Sequence, residues 1–254
     1  MDSTELITAL SCSSEENISL LFEAGAQLEE DFLAFKRQHD HRLHSLYIHP
    51  QLTEFQNYGP WLLEIDNAES LPDYLASLPG CAAVIVSTRY SSMLAVQLSH
   101  GCTIVQPDGS TALARFYASH VMETLAQCAD CDWHAFLFNG ITQWWFPGET
   151  QWQMLAIKPP EANKPANHII RLDKATWEQI TDKPEVTSVL REWQKMPTSR
   201  AFPPCAQRLM VIKALKRAES LKLDKSRDRI LYALFFLNGG NMPESGVLTR
   251  TVSL

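Results

Sequence analysis

Apolar and polar positions along this chain alternate between helical and strand rhythms up to about residue 157, and keep a mainly helical rhythm after about residue 172. Residues 15–38 read as helical, with Leu28, Phe32 and Phe35 four and three apart. A short strand is expected at 43–48. Tyr58-Gly59-Pro60 is a turn signal, 61–65 is strand-like, and 71–78 is a short helix closed by Pro79-Gly80. The β-branched run at 82–87 fits a central strand buried on both faces. Ser91 or Ser92 is placed to cap a helix running to His100, with Gly101 just past its end. A strand at 102–106, the turn Pro107-Asp108-Gly109-Ser110 and a return strand at 111–117 make a hairpin. Ser119 opens a helix to about Cys128, and further strands are expected at 136–146 and 152–157. Strands interleaved with helices predict an α/β (α+β) class, a mixed sheet with flanking helices.

The pattern changes near residue 158. Residues 158–165 carry three prolines and read as a linker. Beyond it, Pro184 stands at a first helical position, Val186, Val189, Leu190 and Trp193 come at i, i+3, i+4 and i+7, and Pro197 lies past the end. A second helix is expected over 205–221. A third opens at Asp224 or Ser226 and stops at Gly239-Gly240. Residues 1–160 are therefore expected to form an α/β core lobe and residues 161–254 a smaller helical lobe. The run 230–237 is apolar almost all round, so it is either buried or covered by a partner. Residues 241–254 look loosely held.

Composition narrows the class. Of 254 residues, 45% are hydrophobic and 20% charged, as in a packed, water-soluble protein. The longest apolar runs, 81–86 and 230–237, fall far short of the ~20 residues a membrane helix needs. The first residues, Met-Asp-Ser-Thr-Glu, contain no apolar signal segment, so a cytoplasmic protein with its six cysteines as free thiols is expected. The net charge of −7 is unevenly spread. Residues 1–80 hold fourteen Asp and Glu against three Lys and Arg; residues 200–229 hold nine Lys and Arg against three Asp and Glu. Such segregation favours charge-guided association. A pI of 5.6 argues against nucleic acid as the partner.

Candidate chemistry is sparse. His39, His41, His44 and His49 could ligate a metal, but their spacing crosses a helix-to-strand boundary and matches no standard ligand pattern. Cys128, Cys131 and His134 offer a C-x-x-C with a histidine after it, yet a redox pair belongs at the start of a helix and this one closes a helix. There is no nucleophile elbow, phosphate loop or dinucleotide fingerprint. No catalytic residue, metal ligand or cofactor is therefore assigned; a metal-dependent enzyme using one of these two clusters is the alternative reading. The tryptophans carry more information. Trp133, Trp144, Trp145 and Trp152 fall within twenty residues. Trp144 and Trp145 must point to opposite faces of a strand. Over a one-sided sheet only one enters the core, and the other, with Phe146 and Trp152, forms a surface anchor of the kind that dominates binding energy; if the chain itself covers both faces of the sheet, neither is at the surface.

Gly59-Pro60-Trp61-Leu62-Leu63-Glu64-Ile65-Asp66 resembles the "GPWLVEL" segment of the type VI secretion effector chaperones, also called adaptors, of the Tap or Tec type. The order of the next elements is similar too: a short helix, the buried strand 82–87, Ser91-Ser92 and a helix, then a strand, the Pro107-Asp108-Gly109 turn and Arg115-Phe116-Tyr117. Phe136-Leu137-Phe138-Asn139-Gly140-Ile141 with Trp144 stands where that family has a Phe-rich strand, so the resemblance covers about residues 43–157. Two positions depart from the pattern. Ala118-Ser119-His120 replaces the usual Asp-Pro-Arg, which leaves Ser119 to start the helix, and Gln97-Leu98-Ser99-His100 replaces a His-Leu-Arg.

The resemblance implies a non-enzymatic bacterial chaperone of the cytosol. It would bind a secreted effector, keep it soluble and help load it onto the secreted spike, touching neither nucleic acid nor membrane and staying monomeric when free. Gly59, Pro60, Trp61, Arg115, Phe116 and Tyr117 would be scaffold, with Arg115 pairing with an acid across the sheet. Exposed-aromatic and charge arguments place the partner-binding surface at Trp144, Trp145, Phe146 and Trp152 and at Ile230, Leu234 and Phe235. The two lobes would form a cradle for the effector, with the basic segment 200–229 adding charge complementarity. A homo-oligomer using 230–237 as its own interface is a third reading.

Overall fold

The computed structural model describes residues 3–10, 13–148, 151–160, 166–181, 183–202 and 204–240. The linker expected at 158–165 lies partly outside the described residues, and the tail 241–254 wholly outside them. In chain order the described residues form α1 (Ser3–Ala9), β1 (Asn17–Glu23), α2 (Glu29–His39), β2 (Leu43–Ser45), β3 (Pro60–Ile65), α3 (Leu71–Ser77), β4 (Cys81–Ser87), α4 (Ser91–Ser99), β5 (Thr103–Val105), β6 (Thr111–Leu113), α5 (Ser119–Gln127), α6 (His134–Leu137), β7 (Ile141–Pro147), β8 (Trp152–Met154), β9 (Ile170–Arg171), α7 (Lys174–Ile180), α8 (Pro184–Gln194), α9 (Pro204–Ser220) and α10 (Ser226–Leu237). The chain divides into two compact units, Met1–Thr181 and Asp182–Leu254.

The first unit is α+β. Its main sheet is antiparallel throughout, in the order β2-β3-β1-β4-β7-β8, and a small mixed sheet has the order β6-β5-β9. Strand register sorts the side chains by parity. Leu21, Leu62, Ala83, Ile85, Trp144 and Phe146 point to one face, where α4, α5 and α6 and the small sheet's Ile104 and Ile170 cover them. Ile18, Leu20, Phe22, Trp61, Leu63 and Val84 point to the other, under Leu6 of α1, Phe32 of α2 and Leu71 of α3. A sheet covered on both faces explains why β1 and β4 read as continuous apolar runs.

Several expectations are corrected. The helix expected over 15–38 begins only at α2. Residues 17–23 instead form β1, paired with β3 on one side and β4 on the other. A short apolar run such as Ile18–Phe22 has no period that separates strand from helix, and pairing on both sides decides it. The strand expected at 136–146 splits into α6 and β7 around Gly140, whose φ of +76° a side chain rarely adopts. The return strand expected at 111–117 ends at Leu113, and Phe116 and Tyr117 turn into the core. Neither serine caps its helix as expected. Ser91 is buried, its Oγ 2.8 Å from that of Ser19, and α5 is preceded by Ala118, which has no side chain to cap it. The division at Thr181/Asp182 lies beyond the expected one at 160 because β9 pairs with β5, and Ile180 and Trp177 of α7 join the first core.

The second unit is three helices. Val186, Val189 and Trp193 of α8, Val211, Ala214 and Leu215 of α9, and Ala233 and Leu237 of α10 close a core of their own. The two oxygens of Glu185 accept the Nε and terminal nitrogen of Arg229, a bidentate pair that ties α8 to α10.

Candidate functional site

The residues that carry the sequence motif are structural. A Cβ on Gly59 would stand 2.4 Å from the Tyr47 ring, so only glycine fits there. Trp61 lies under α2, where its indole N–H donates to the Gln56 carbonyl at 2.7 Å and the Lys36 ammonium sits 4.7 Å from its ring centre. Arg115 does pair with an acid. Its guanidinium is 3.0 Å from the Glu23 carboxylate, which also accepts the Tyr117 hydroxyl at 2.6 Å. Burial and Glu23 hold that phenol well above its ordinary pKa, so it stays a donor. Phe116 is buried against Gly101, where a Cβ would come within 2.7 Å of its ring. Sequence reasoning missed Glu23, because a lone acid at a strand end carries no signal until its partners, more than ninety residues away, are placed.

The aromatic anchor is corrected in part. Trp144 is fully buried and Phe146 almost so, both within the first core, so neither is a surface residue. The one-sided-sheet argument fails because helices cover both faces. Trp145 and Trp152 are half-buried against the second face's core. The Trp145 indole donates to Gln143 Oε1 at 2.9 Å. With the exposed Met154 on β8, these two leave a modest apolar strip at the sheet edge. In the second unit, Ile230 and Leu234 are half-buried against the three-helix core, whereas Phe235 is 49% exposed. Leu231, one turn earlier and 56% exposed, extends that stripe.

The histidine and cysteine clusters separate into local roles. His39 packs between Phe35 and Tyr74, and His49 Nδ1 accepts the Gln51 amide at 3.3 Å. Burial lowers the pKa of both His39 and His44. His134 is fully enclosed, with Nε2 3.1 Å from the Ala126 carbonyl. That bond requires the proton on Nε2, and the bare Nδ1 is buried without a partner among the described residues. Burial raises the Cys128 thiol and pushes Cys131 up to about 12, the reverse of what a reactive or metal-binding thiolate needs. Among the described residues, no group of three or more His, Cys, Asp or Glu is arranged to hold a metal ion.

In the first unit, the outward side of α4 is apolar as well as its inward side: Met93 is 55% and Val96 52% exposed, opposite the buried Leu94, Ala95 and Leu98. Met93, Val96, Phe136, His100, His168 and Arg89 line an open groove of about 520 Å³. Gln97 floors it, with its amide donating to the carbonyls of Leu137 at 2.8 Å and Asn139 at 3.0 Å. Sequence reasoning did not single out this surface, although Met93, Val96 and His100 recur at i, i+3 and i+7, the signal that could have found it.

Among the described residues, no helix is long and apolar enough to cross a membrane. No curated protein and no solved structure matches this chain. Residues 18–135, a little under half of the chain and running from the second residue of β1 into α6, match the family model described as "Domain of unknown function (DUF4123)".

Proposed function

We propose that this protein is a non-enzymatic adaptor of a bacterial type VI secretion pathway, which binds an effector in the cytosol and delivers it to the secreted spike. The observation that carries this reading is a coincidence of position. Gly59–Asp66, the strand at 82–87 and Arg115–Tyr117, three of the pieces that carry the resemblance to effector chaperones, lie inside the segment 18–135 that the family model matches, and the Phe136–Ile141 piece follows directly after it.

Physical features support the reading. Each unit closes its own core and leaves apolar side chains exposed: Met93 and Val96 on α4 in the first unit, Leu231 and Phe235 on α10 in the second. Charge is segregated. The first unit holds twenty-two Asp and Glu against nine Lys and Arg; the second holds thirteen Lys and Arg against seven Asp and Glu. Such fields speed encounter with a partner and set orientation, while apolar contacts supply most of the affinity.

The test is co-expression of the tagged protein with the products of the genes beside its own, and then purification. The expected result is a stoichiometric, salt-resistant complex with a large neighbouring protein that is insoluble alone. A protein that stays monomeric and partnerless with every neighbour sinks the reading.

A further inference from the structure

The α4 groove has the chemistry of a peptide site and lies in an unusual electrostatic setting. Acidic residues outnumber basic ones more than two to one in the first unit, yet among the described residues no Asp or Glu lines this groove. Arg89 stands at its rim, and its guanidinium has no hydrogen-bond or ion-pair partner among the described residues. Its main-chain groups are used instead, the amide by Ser87 and the carbonyl by Asn17. It is lined by Met93 and Val96 and by the aromatic group of Phe136, His100 and His168, whose ring centres are 5.1–6.3 Å apart. Burial and the neighbouring His168 hold His100 below its ordinary pKa, which leaves Arg89 as the permanent cation.

The shape selects the class of occupant. The groove is too open to enclose a small molecule, which needs most of its surface buried. It runs along α4, where a rise of about 1.5 Å per residue over 91–100 gives about 14 Å, or between two and three turns of a helix laid alongside. The floor is preorganised, because Gln97 is pinned to the turn after α6. We propose that this groove receives an amphipathic helical segment of the effector, with aliphatic side chains seated on Met93, Val96 and Phe136 and a carboxylate on Arg89. The inference rests on the adaptor reading, and it names the partner's chemistry: apolar on one face, acidic beside it.

The experiment uses the full chain co-expressed with the neighbouring gene's product as the probe. Wild type is compared with Val96→Glu, Arg89→Glu and, as a control exposed apolar site outside the groove, Leu113→Glu. Affinity is measured on purified components, and the fold of each variant is checked by circular dichroism and melting temperature. Both groove variants change exposed or rim positions and are expected to melt with wild type. Val96→Glu should weaken binding about tenfold or more, because it places a carboxylate in the apolar wall. Arg89→Glu should weaken it and flatten its salt dependence, and Leu113→Glu should bind as wild type. If wild type binds and both groove variants bind equally well, the groove proposal falls while the adaptor reading stands. If wild type captures nothing, the adaptor reading fails and this inference with it. A free wild-type protein that light scattering shows as a dimer, broken by Val96→Glu, would make the occupant a second copy and also overturn the proposal.

Discussion

The carboxylate of Glu23 accepts the Tyr117 hydroxyl and the Arg115 guanidinium at the end of a strand, thus fastening residues 115–117 to β1. Tyr117 is almost fully buried, so Glu23→Ala would leave its hydroxyl without an acceptor. A loss of about 1–3 kcal/mol is expected in urea unfolding, with Tyr117→Phe costing less because no polar group is then stranded. Arg115 is largely exposed, and Arg115→Ala should change stability little. Cys131 gives a second residue-level prediction. With its thiol pushed up to about 12, roughly one molecule in ten thousand is thiolate at pH 8, so alkylation at Cys131 should be slow there and keep rising about tenfold per pH unit well past pH 9, where an ordinary thiol levels off. Rapid labelling at pH 7 would contradict the burial that raises it. Histidines act in the opposite direction. His39, His44, His100 and His134 are all held below the ordinary value, chiefly by burial. The unfolded chain takes up these protons near pH 6.5, the folded chain only at lower pH. Stability is therefore full above that value and falls as pH drops through the window beneath it. His134→Gln should shrink the fall measured by urea titration between pH 7 and 5.

At the scale of elements, β7 separates scaffold from surface within two adjacent residues. Trp144→Ala opens a cavity in the first core and should cost about 3–5 kcal/mol, whereas Trp145→Ala and Trp152→Ala should each cost under about 2 kcal/mol, as half-buried side chains do. Urea midpoints of the three variants check the order. Loss of a partner in a Trp144 variant would then report unfolding rather than a missing contact. The same strand shows what could be read in advance. That Trp144 and Trp145 face opposite ways is a consequence of strand geometry, and β3, β4, α8, α9 and α10 were legible from periodicity, Pro184 and Gly239. The two-sided cover of the sheet was legible at β4, from its continuous apolar run, but not at β7, where it depends on which helices return to which face. β1 was missed for the same kind of reason: Ile18–Phe22 become a strand only through partners at 60–65 and 81–87. The groove on α4 was hidden because a helix apolar on two faces looks, in one dimension, like a helix that is simply buried.

At the scale of the whole molecule, each unit closes a core from its own residues. Residues 182–254 expressed alone should therefore give a helical circular-dichroism spectrum and a cooperative melt, with the Glu185–Arg229 pair as a main polar tie. Arg229→Ala in that fragment should lower the melting temperature, since it strands a partly buried carboxylate. A fragment without cooperative melting would mean that this core is too small to stand by itself.

The strand order also sets a timetable for synthesis. β1 leaves the ribosome before either of its neighbours, β3 and β4, and β4 in turn waits for β7. Until residue 147 has emerged the main sheet lacks β7, its fifth strand in line, and the small sheet is incomplete until β9 at 170–171. Such long-range antiparallel pairing is slow to assemble. Until the strands at 60–65 and 81–87 have followed it out, the run at 18–22 is therefore an unpaired, aggregation-prone segment. Ribosomes that stall or terminate before about residue 147 should release insoluble product, and the protein's yield in a cell should depend on how quickly the stretch from 88 to 147 is translated.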